Sequence, residues 1–197
     1  MTDGKKATRC GWAGENPLMV DYHDTEWGVP VHDDARLYEF LTLEGAQAGL
    51  NWQIILNKRE SYRKAFKGFD FRAVARFNSR STERLLRNTG IVRNRMKIES
   101  AITNARRIVK VVEEHGSLDA YLWRFTGGRT LRNRWKSFRD IPAQTEESLS
   151  MSRDLKRRGF GFVGPTICYA FMQAVGMVND HEEGCFRYRR PGPPRRR

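Results

Sequence analysis

The chain has 197 residues, enough for one well-buried core, and its apolar share of 39% excludes a disordered chain. A net charge of +13 indicates either a polyanionic partner such as nucleic acid or a solvated basic surface. No apolar run approaches the ~20 residues of a membrane span and no secretory signal is expected, so we expect a cytosolic protein without membrane contact.

The first informative segment is residues 21–30, where two aromatic rings, a histidine and three carboxylates precede the first predicted helix. Large rings lose most by staying in water, so they are uncommon in solvated loops. Three of the five tryptophans lie within the first 52 residues: Trp12, Trp27 and Trp52. Aromatic rings mixed with carboxylates are suited to a pocket for a flat, electron-poor ring.

A helix is predicted after Asp33, because apolar residues then recur with helical spacing. Glu44 lies on the same face as Leu37, Phe40 and Leu41, so its carboxyl group is predicted to point inward. A buried carboxylate is costly unless it is paired, protonated or functional. The alternative is that the helix ends early and Glu44 caps it or meets an arginine.

Further helices are predicted from apolar spacing and capping residues. The first is a short helix capped by Ser81 and closed by Gly90, and the second is a long helix that contains Ile98 to Val112 and ends near Gly116. A third helix begins at Ser117, and a fourth begins at Thr145 or Ser148 and ends at Gly159. The last contains residues 167–174. Residues 126–144 are predicted to form a long connection.

No run of strict alternation bounded by hairpin turns is present, so the predicted fold is all-α. The chain shows no internal repeat and no strong linker. We therefore predict one globular domain over residues 9–187, a flexible N-terminus over 1–8 and a basic, disordered tail over 188–197.

A glycine-rich turn follows three cations at the end of the predicted helix that stops at Gly159. Gly161 and Gly164 would let the backbone approach a ligand closely, and Pro165 would open a new helix whose free N–H groups attract an anion. With the positive charge, the pattern favours contact with a DNA phosphate, for which Arg158 and Thr166 flank the glycines. An ordinary helix–turn–helix corner would need the glycines only for the bend.

Two cysteines and two histidines lie near opposite ends of the chain and could complete a tetrahedral zinc site: Cys10, His23, His181 and Cys185. Their spacing is unlike that of a compact zinc finger, so an inert cysteine and surface histidines remain an alternative. Cys168 is predicted to be a small core residue.

These motifs resemble the bacterial 3-methyladenine DNA glycosylase I family, within the helix–hairpin–helix superfamily. The matching segments run in order along nearly the whole chain: RCGW (9–12), YHDTEWGVP (22–30), LEGAQAGLNW (43–52), KRRGF (156–160), FVGPTICY (162–169), FMQA (171–174) and VNDH (178–181). The resemblance implies a DNA repair enzyme that acts on alkylated double-stranded DNA, and we expect it to be a monomer in the bacterial cytosol.

The resemblance also implies residue roles. Cys10, His23, His181 and Cys185 would bind one structural zinc ion that ties the two chain ends together. Glu44 and Tyr22 would hydrogen-bond the methylated base, while Trp52 would stack on it and Trp12 and Trp27 would line the cavity. Leu50, beside Gly49, is a candidate wedge for the gap that a flipped base leaves.

Related hairpin enzymes use an aspartate shortly after the second hairpin helix, and bifunctional ones place a lysine just inside it. Here Asn179 and Thr166 stand at the corresponding places. The expected activity is therefore monofunctional hydrolysis of the N-glycosidic bond of 3-methyladenine, and possibly of 3-methylguanine, leaving an abasic site. Asn51 replaces the family's common serine at the pocket rim. The competing hypotheses are a glycosylase for another lesion and a non-enzymatic, zinc-stabilised DNA-binding module.

Overall fold

The computed structural model describes residues 8–189, and this part of the chain is mostly helical, as predicted. Its α-helices are α1 (Pro17–Thr25), α2 (Asp34–Gln47), α3 (Trp52–Ala65), α4 (Phe71–Ala75), α5 (Ser79–Arg87), α6 (Arg95–His115), α7 (Leu118–Trp123), α8 (Glu146–Arg157) and α9 (Pro165–Ala174). The expected flexible N-terminus (1–8) and basic tail (188–197) lie almost wholly outside the described residues and stay predictions.

The core is organised around α6, which packs against α2, α4, α5 and α7. Its apolar stripe is buried as the spacing predicted, at Ile98, Ala101, Ile102, Ala105 and Ile108. Gly116 ends the helix with a φ of 85°, a conformation that favours glycine. Of the remaining helices, α3 and α9 pack against α2, α1 packs against α3, and α8 packs against α9.

Capping residues explain where most helices begin. The side chains of Asp33, Ser117 and Thr145 each accept a hydrogen bond from the first turn of α2, α7 and α8, as predicted. The prediction for α5 was wrong by one turn, since the helix begins at Ser79 and Asn78 is its cap. The amide side chain of Asn78 accepts the Ser81 N–H at 3.2 Å, so Ser81 lies inside the first turn.

Three helices were not predicted, and each lacks a clear apolar period. In α1 the only buried side chains are Tyr22 and His23, and α4 is five residues long. In α3 the buried face includes Arg59 alongside Ile55 and Tyr62. A charged residue on the buried face hides the helical period from a reading of hydropathy.

The expected long connection at 126–144 contains a short strand, which is a small correction to the all-α prediction. β1 (Leu131–Arg132) pairs in parallel with β2 (Val178–Asn179), Leu131 opposite Val178. The N–H of Leu131 donates to the carbonyl of Met177 over 2.9 Å. Strands of two residues carry no detectable alternation, so their sequence gave no signal for them.

The α8–α9 turn, residues 158–164, is held by contacts from α6 and α2. The Asn104 side chain both accepts from the Gly161 N–H (2.9 Å) and donates to the Gly161 carbonyl (3.0 Å). A Cβ on Gly45 of α2 would lie 3.2 Å from the Cβ of Phe162, so glycine favours this close approach. The turn is therefore fixed against the helix that carries Glu44. None of the helices within residues 8–189 has the length and apolar character needed to cross a membrane.

Candidate functional site

A cavity of about 130 Å³ lies between α1, α2, the start of α3 and α9. Its lining residues are Trp12, Tyr22, Trp27, Glu44, Gln47, Trp52, Ala170 and Gln173. All five residues predicted to contact a base are in this set. An adjoining cleft of about 330 Å³ shares Trp12, Trp27, Ala170 and Gln173 with it, so the two form one depression.

Glu44 is the only carboxylate that lines the cavity, and it is 4% exposed. Within the described residues its carboxyl group has no hydrogen bond or ion pair, and α2 continues to Gln47, so it neither caps a helix end nor meets an arginine. Burial raises the pKa of Glu44 to about 8. A buried, unpartnered carboxyl group facing a cavity is suited to bind a hydrogen-bond donor or a cation there.

Aromatic rings form most of the remaining wall. Tyr22 is 3% exposed and its ring centroid lies 5.3 Å from that of Trp52. Burial, and then the nearby Glu44 charge, raises the pKa of Tyr22 above its usual value, so the phenol stays protonated and can donate a hydrogen bond. Trp12 meets Trp27 edge-on, with centroids 4.9 Å apart. The buried indole N–H groups of Trp12 and Trp52 have no partner in the described part of the chain.

The four predicted metal ligands converge at the end of α1. Cys10, His23, His181 and Cys185 are all buried, and their ligand atoms lie within 4.8 Å of one another. Three of the sulfur-to-nitrogen separations lie between 3.4 Å (Cys10 Sγ to His181 Nδ1) and 3.6 Å (Cys185 Sγ to His181 Nδ1). In a tetrahedral zinc site with usual bond lengths such a separation is about 3.6 Å. The donor set and its spacing fit a metal ion such as zinc.

Residues around the cluster orient these ligands. The Nδ1 of His23 contacts Asp24 at 2.7 Å, and Arg9 in turn pairs with Asp24 at 2.7 Å. Burial raises the pKa of Asp24, but the hydrogen bonds from Arg9 and His23 lower it by more. The net pKa is therefore below its usual value, and the carboxylate stays ionised. Such carboxylate–histidine pairs fix the histidine tautomer in metal sites.

Backbone groups complete this support. The N–H groups of Glu182 and Arg187 each lie 3.4 Å from a cysteine sulfur, the first on Cys10 and the second on Cys185. A hydrogen bond from Cys10 lowers the pKa of the Cys185 thiol well below its usual range. Thiolates are the form that binds metal. Cys168, by contrast, is buried in α9 away from the cluster, and burial raises its pKa to about 12.

The cavity and the cluster share the segment that contains Tyr22 and His23. These are neighbours on α1, and helix geometry turns their side chains about 100° apart. One faces the cavity and the other faces the cluster. Gly28, with a φ of 73°, allows the chain to pass the His181 ring, because a Cβ there would lie 3.1 Å from its Nε2.

The residues predicted to contact DNA lie at two exposed places. Leu50 is 37% exposed, between α2 and α3. Gly159, Gly161 and Gly164 are in the α8–α9 turn, and Thr166 is exposed in the first turn of α9. Arg158 lies there too, but its guanidinium pairs with Glu114 at 2.6 Å and Asp154 at 3.3 Å, so a phosphate would compete with these carboxylates.

Gln173 was missed by the sequence reading although it lines both the cavity and the cleft. It lies on one face of α9 with Thr166 and Ala170, at positions i, i+4 and i+7. This spacing was the only sequence signal for a shared cavity wall. Because the face is half apolar, the same spacing is also typical of ordinary helix packing.

A buried ion network behind the cavity was also missed. Arg59 of α3 binds Glu26 and Glu39, each at 2.7 Å, and Arg36 and Arg63 add further contacts to the same carboxylates. Although burial favours its neutral form, the hydrogen bonds and charges of the two glutamates raise the pKa of Arg59. The network joins the end of α1, which leads into Trp27, to α2 and α3.

Residues 12–188 match the family model described as methyladenine glycosylase. DNA-3-methyladenine glycosylase 1 of Escherichia coli (strain K12) is 44% identical over 91% of this chain and 96% of its own. The corresponding glycosylase of Haemophilus influenzae is 41% identical over 90% and 96%. A solved 3-methyladenine DNA glycosylase I from Staphylococcus aureus, described for its recognition of 3-methyladenine, superimposes with a TM-score of 0.88 at 31% identity, covering 96% of this chain and 98% of that one.

Proposed function

The chain belongs to the methyladenine glycosylase family and is a DNA glycosylase of base excision repair, and we propose that it hydrolyses the N-glycosidic bond of 3-methyladenine in alkylated DNA. The reaction releases the free base and leaves an abasic site. A 3-methyl group makes the adenine cationic, which weakens its bond to deoxyribose. The protein therefore has mainly to expose the base and select it.

The observation that carries this proposal is the buried Glu44 carboxyl group in a cavity lined by Tyr22 and three tryptophans. Flipping a nucleotide out of the duplex costs a few kcal/mol. Stacking of a base on an aromatic ring recovers roughly 1–3 kcal/mol, and an indole face attracts a cation further. A bound cation also favours the ionised form of Glu44, whose charge then favours the methylated base over a neutral one.

The proposed roles follow from this arrangement. Glu44 accepts hydrogen bonds from the base and supplies negative charge, Tyr22 adds a hydrogen bond, and Trp52 stacks on the ring while Trp12 and Trp27 enclose it. No lysine lies between Arg158 and Ala174 to form a Schiff base, which favours hydrolysis without lyase activity. Asn179 is fully buried, and its side-chain oxygen accepts a hydrogen bond from the His181 N–H at 3.2 Å. This arrangement argues against a general base at that position.

Zinc is the metal that we propose for the cluster. Cys10, His23, His181 and Cys185 would supply four protein ligands, which leaves no open position for a reacting group. Bound there, the ion contributes structural stability by tying the chain ends together. These residues take no part in the chemistry; they hold α1 against the C-terminal segment.

We propose that the protein binds double-stranded DNA as a monomer, through the α8–α9 turn, as in helix–hairpin–helix proteins, and through Leu50. A Cβ on Gly164 would meet no atom within 4 Å, so glycine there leaves open space for a phosphate, whereas Gly159 and Gly161 lie close against Arg107 and Ser100 of α6. The start of α9 presents its N–H groups beside Thr166. The charge of +13 supplies the general attraction. In this arrangement a bound phosphate competes with Glu114 and Asp154 for the Arg158 guanidinium.

Incubation with methylated duplex DNA, followed by identification of the released base, tests the proposal. We expect release of 3-methyladenine, and a loss of about tenfold or more in both excision and binding of the free base on Glu44→Gln. The matched control is Glu113→Gln at an exposed glutamate of α6, which should not change either quantity. DNA binding without base release would support a non-enzymatic module, and release of 7-methylguanine alone would indicate another lesion.

A further inference from the structure

Asp180 is a buried carboxylate that the proposed reaction does not use. It is 1% exposed and lies directly after β2. Four side chains contact its two oxygens: Asn133 at 2.7 Å, Trp135 at 2.9 Å, Tyr169 at 2.6 Å and Gln173 at 2.8 Å. A carboxylate has about four acceptor positions, so these four partners fill it. The Trp135 indole can only donate, and it does so to Oδ1 of Asp180.

This contact fixes the orientation of the Gln173 amide. The Nε2 of Gln173 donates to Oδ2 of Asp180 at 2.8 Å, so the Oε1 of the same amide faces away from Asp180. No side chain or backbone N–H within residues 8–189 donates to that oxygen. The backbone around it is also fixed, since the Gly28 N–H donates to the Gln173 carbonyl at 3.0 Å. Gln173 thus lines the cavity with one unsatisfied acceptor at the end of a held side chain.

We infer that the side-chain carbonyl of Gln173 accepts a hydrogen bond from the exocyclic amine of the flipped adenine and so makes the cavity select adenine lesions over guanine lesions. This rests on the proposed glycosylase activity. Adenine carries a donor amine at C6, whereas guanine carries an acceptor oxygen there. Glu44 is a second acceptor lining the same cavity, so an amine finds two acceptors there, whereas a guanine oxygen gains nothing from the Gln173 carbonyl. Asp180 is a positioning residue, acting through Gln173.

The test compares binding of free 3-methyladenine and free 3-methylguanine, and their release from methylated DNA. Gln173→Met keeps the side-chain length and removes both polar atoms. We expect affinity for 3-methyladenine to fall about tenfold while affinity for 3-methylguanine stays within about twofold, so the ratio between the two bases narrows. Gln144→Met, at an exposed glutamine outside the cavity and the cleft, is the matched control and should keep the wild-type ratio.

A second variant covers the possibility that Gln173→Met folds poorly. Asp180→Asn offers both a donor and an acceptor, so the Gln173 amide is free to turn its nitrogen toward the cavity. We expect the preference to shift toward 3-methylguanine, a change that a general loss of stability would not produce. Metal content and melting temperature are measured alongside, because His181 is the next residue.

The outcomes separate this inference from the proposed function. If wild-type protein releases neither base, the proposed function fails. If wild-type protein releases 3-methyladenine and Gln173→Met weakens both bases equally, or neither, the inference about Gln173 is wrong while the proposed function stands.

Discussion

His181 donates its Nε2 hydrogen to the carbonyl oxygen of Trp27 over 3.1 Å, and its ring lies edge-on to the Trp27 ring with centroids 4.6 Å apart. The other ring nitrogen of His181 faces the two cysteines of the cluster. A candidate metal ligand and a wall of the cavity are thus joined by one side chain. A change in the position of His181 in the cluster should therefore shift Trp27 in the cavity wall.

Replacement of a cluster residue tests this link. We expect Cys10→Ser to reduce bound zinc from about one ion per chain to a small fraction, because a serine hydroxyl is a poor ligand for zinc. Without the ion the free energy of unfolding should fall. A decrease of about 3 kcal/mol would lower the melting temperature of a chain of this size by roughly 10 °C. Metal analysis and calorimetry of the purified protein measure both effects, and binding of free 3-methyladenine should weaken as well.

The control for this variant is Cys168→Ser, which changes a buried cysteine outside the cluster. Zinc content should stay at the wild-type level there, even if the melting temperature falls. Full zinc occupancy in Cys10→Ser would contradict the proposed ligand set.

The cluster also marks the limit of what the sequence predicts. The spacing of Cys10 and His23 from His181 and Cys185 carries no metal signature, because the two pairs meet only after the chain has folded around α6. The residue types alone left an inert cysteine and surface histidines as an alternative, and the family resemblance favoured the metal site. The inward position of Glu44, by contrast, follows from local helical spacing alone, and the structure confirms it.

The fold shows the same division. The apolar period predicts α2 and α6, since most of their buried side chains are apolar even though α2 also buries Glu39 and Glu44. It does not predict α1 or α3, because the first buries a tyrosine and a histidine and the second buries Arg59. Where buried side chains serve a cavity or an ion network, hydropathy is a poor guide to local structure.

Glu44 should make stability depend on pH. Its pKa in the folded protein is about 8 and its ordinary value is 4.5, and burial is the cause. Between these values the unfolded chain loses the proton while the folded chain keeps it, so the free energy of unfolding falls as pH rises, by at most about 1.4 kcal/mol per pH unit. Below pH 4.5 both states are protonated and this contribution is fully retained.

Because glutamine does not titrate, Glu44→Gln removes this dependence. We expect the variant to gain stability relative to wild type steadily from pH 5 to pH 8, measured by urea unfolding at several pH values. Glu113→Gln, at an exposed position, should parallel wild type throughout. A constant difference between Glu44→Gln and wild type would show that the carboxyl group is not held neutral.

Leu50 should matter only when a base must leave a duplex. We expect Leu50→Ala to reduce excision from double-stranded DNA about tenfold, because an apolar wedge compensates for lost base stacking. Excision from single-stranded DNA should change little, since no gap forms there. Leu18→Ala, an equally exposed leucine at 39% against 37%, is the matched control. Equal activity of Leu50→Ala and wild type on both substrates would exclude a wedge at this position.

The last prediction concerns the ion network behind the cavity. Arg59→Met would leave Glu39, whose side chain is 3% exposed, and Glu26 without their main partner, and removal of one member of a buried pair costs about 3–5 kcal/mol. Although burial raises the pKa of Glu26, the Arg59 hydrogen bond lowers it overall, so the stability from this pair is present near neutral pH and is lost as pH falls through the folded pKa. Arg95→Met removes an exposed pair with Glu83 and should cost far less. Urea unfolding at pH 7 and pH 4 measures the free energy of unfolding of both proteins. The difference between Arg59→Met and wild type should be smaller at pH 4. An equal difference at both pH values would mean that Arg59 contributes packing and not charge.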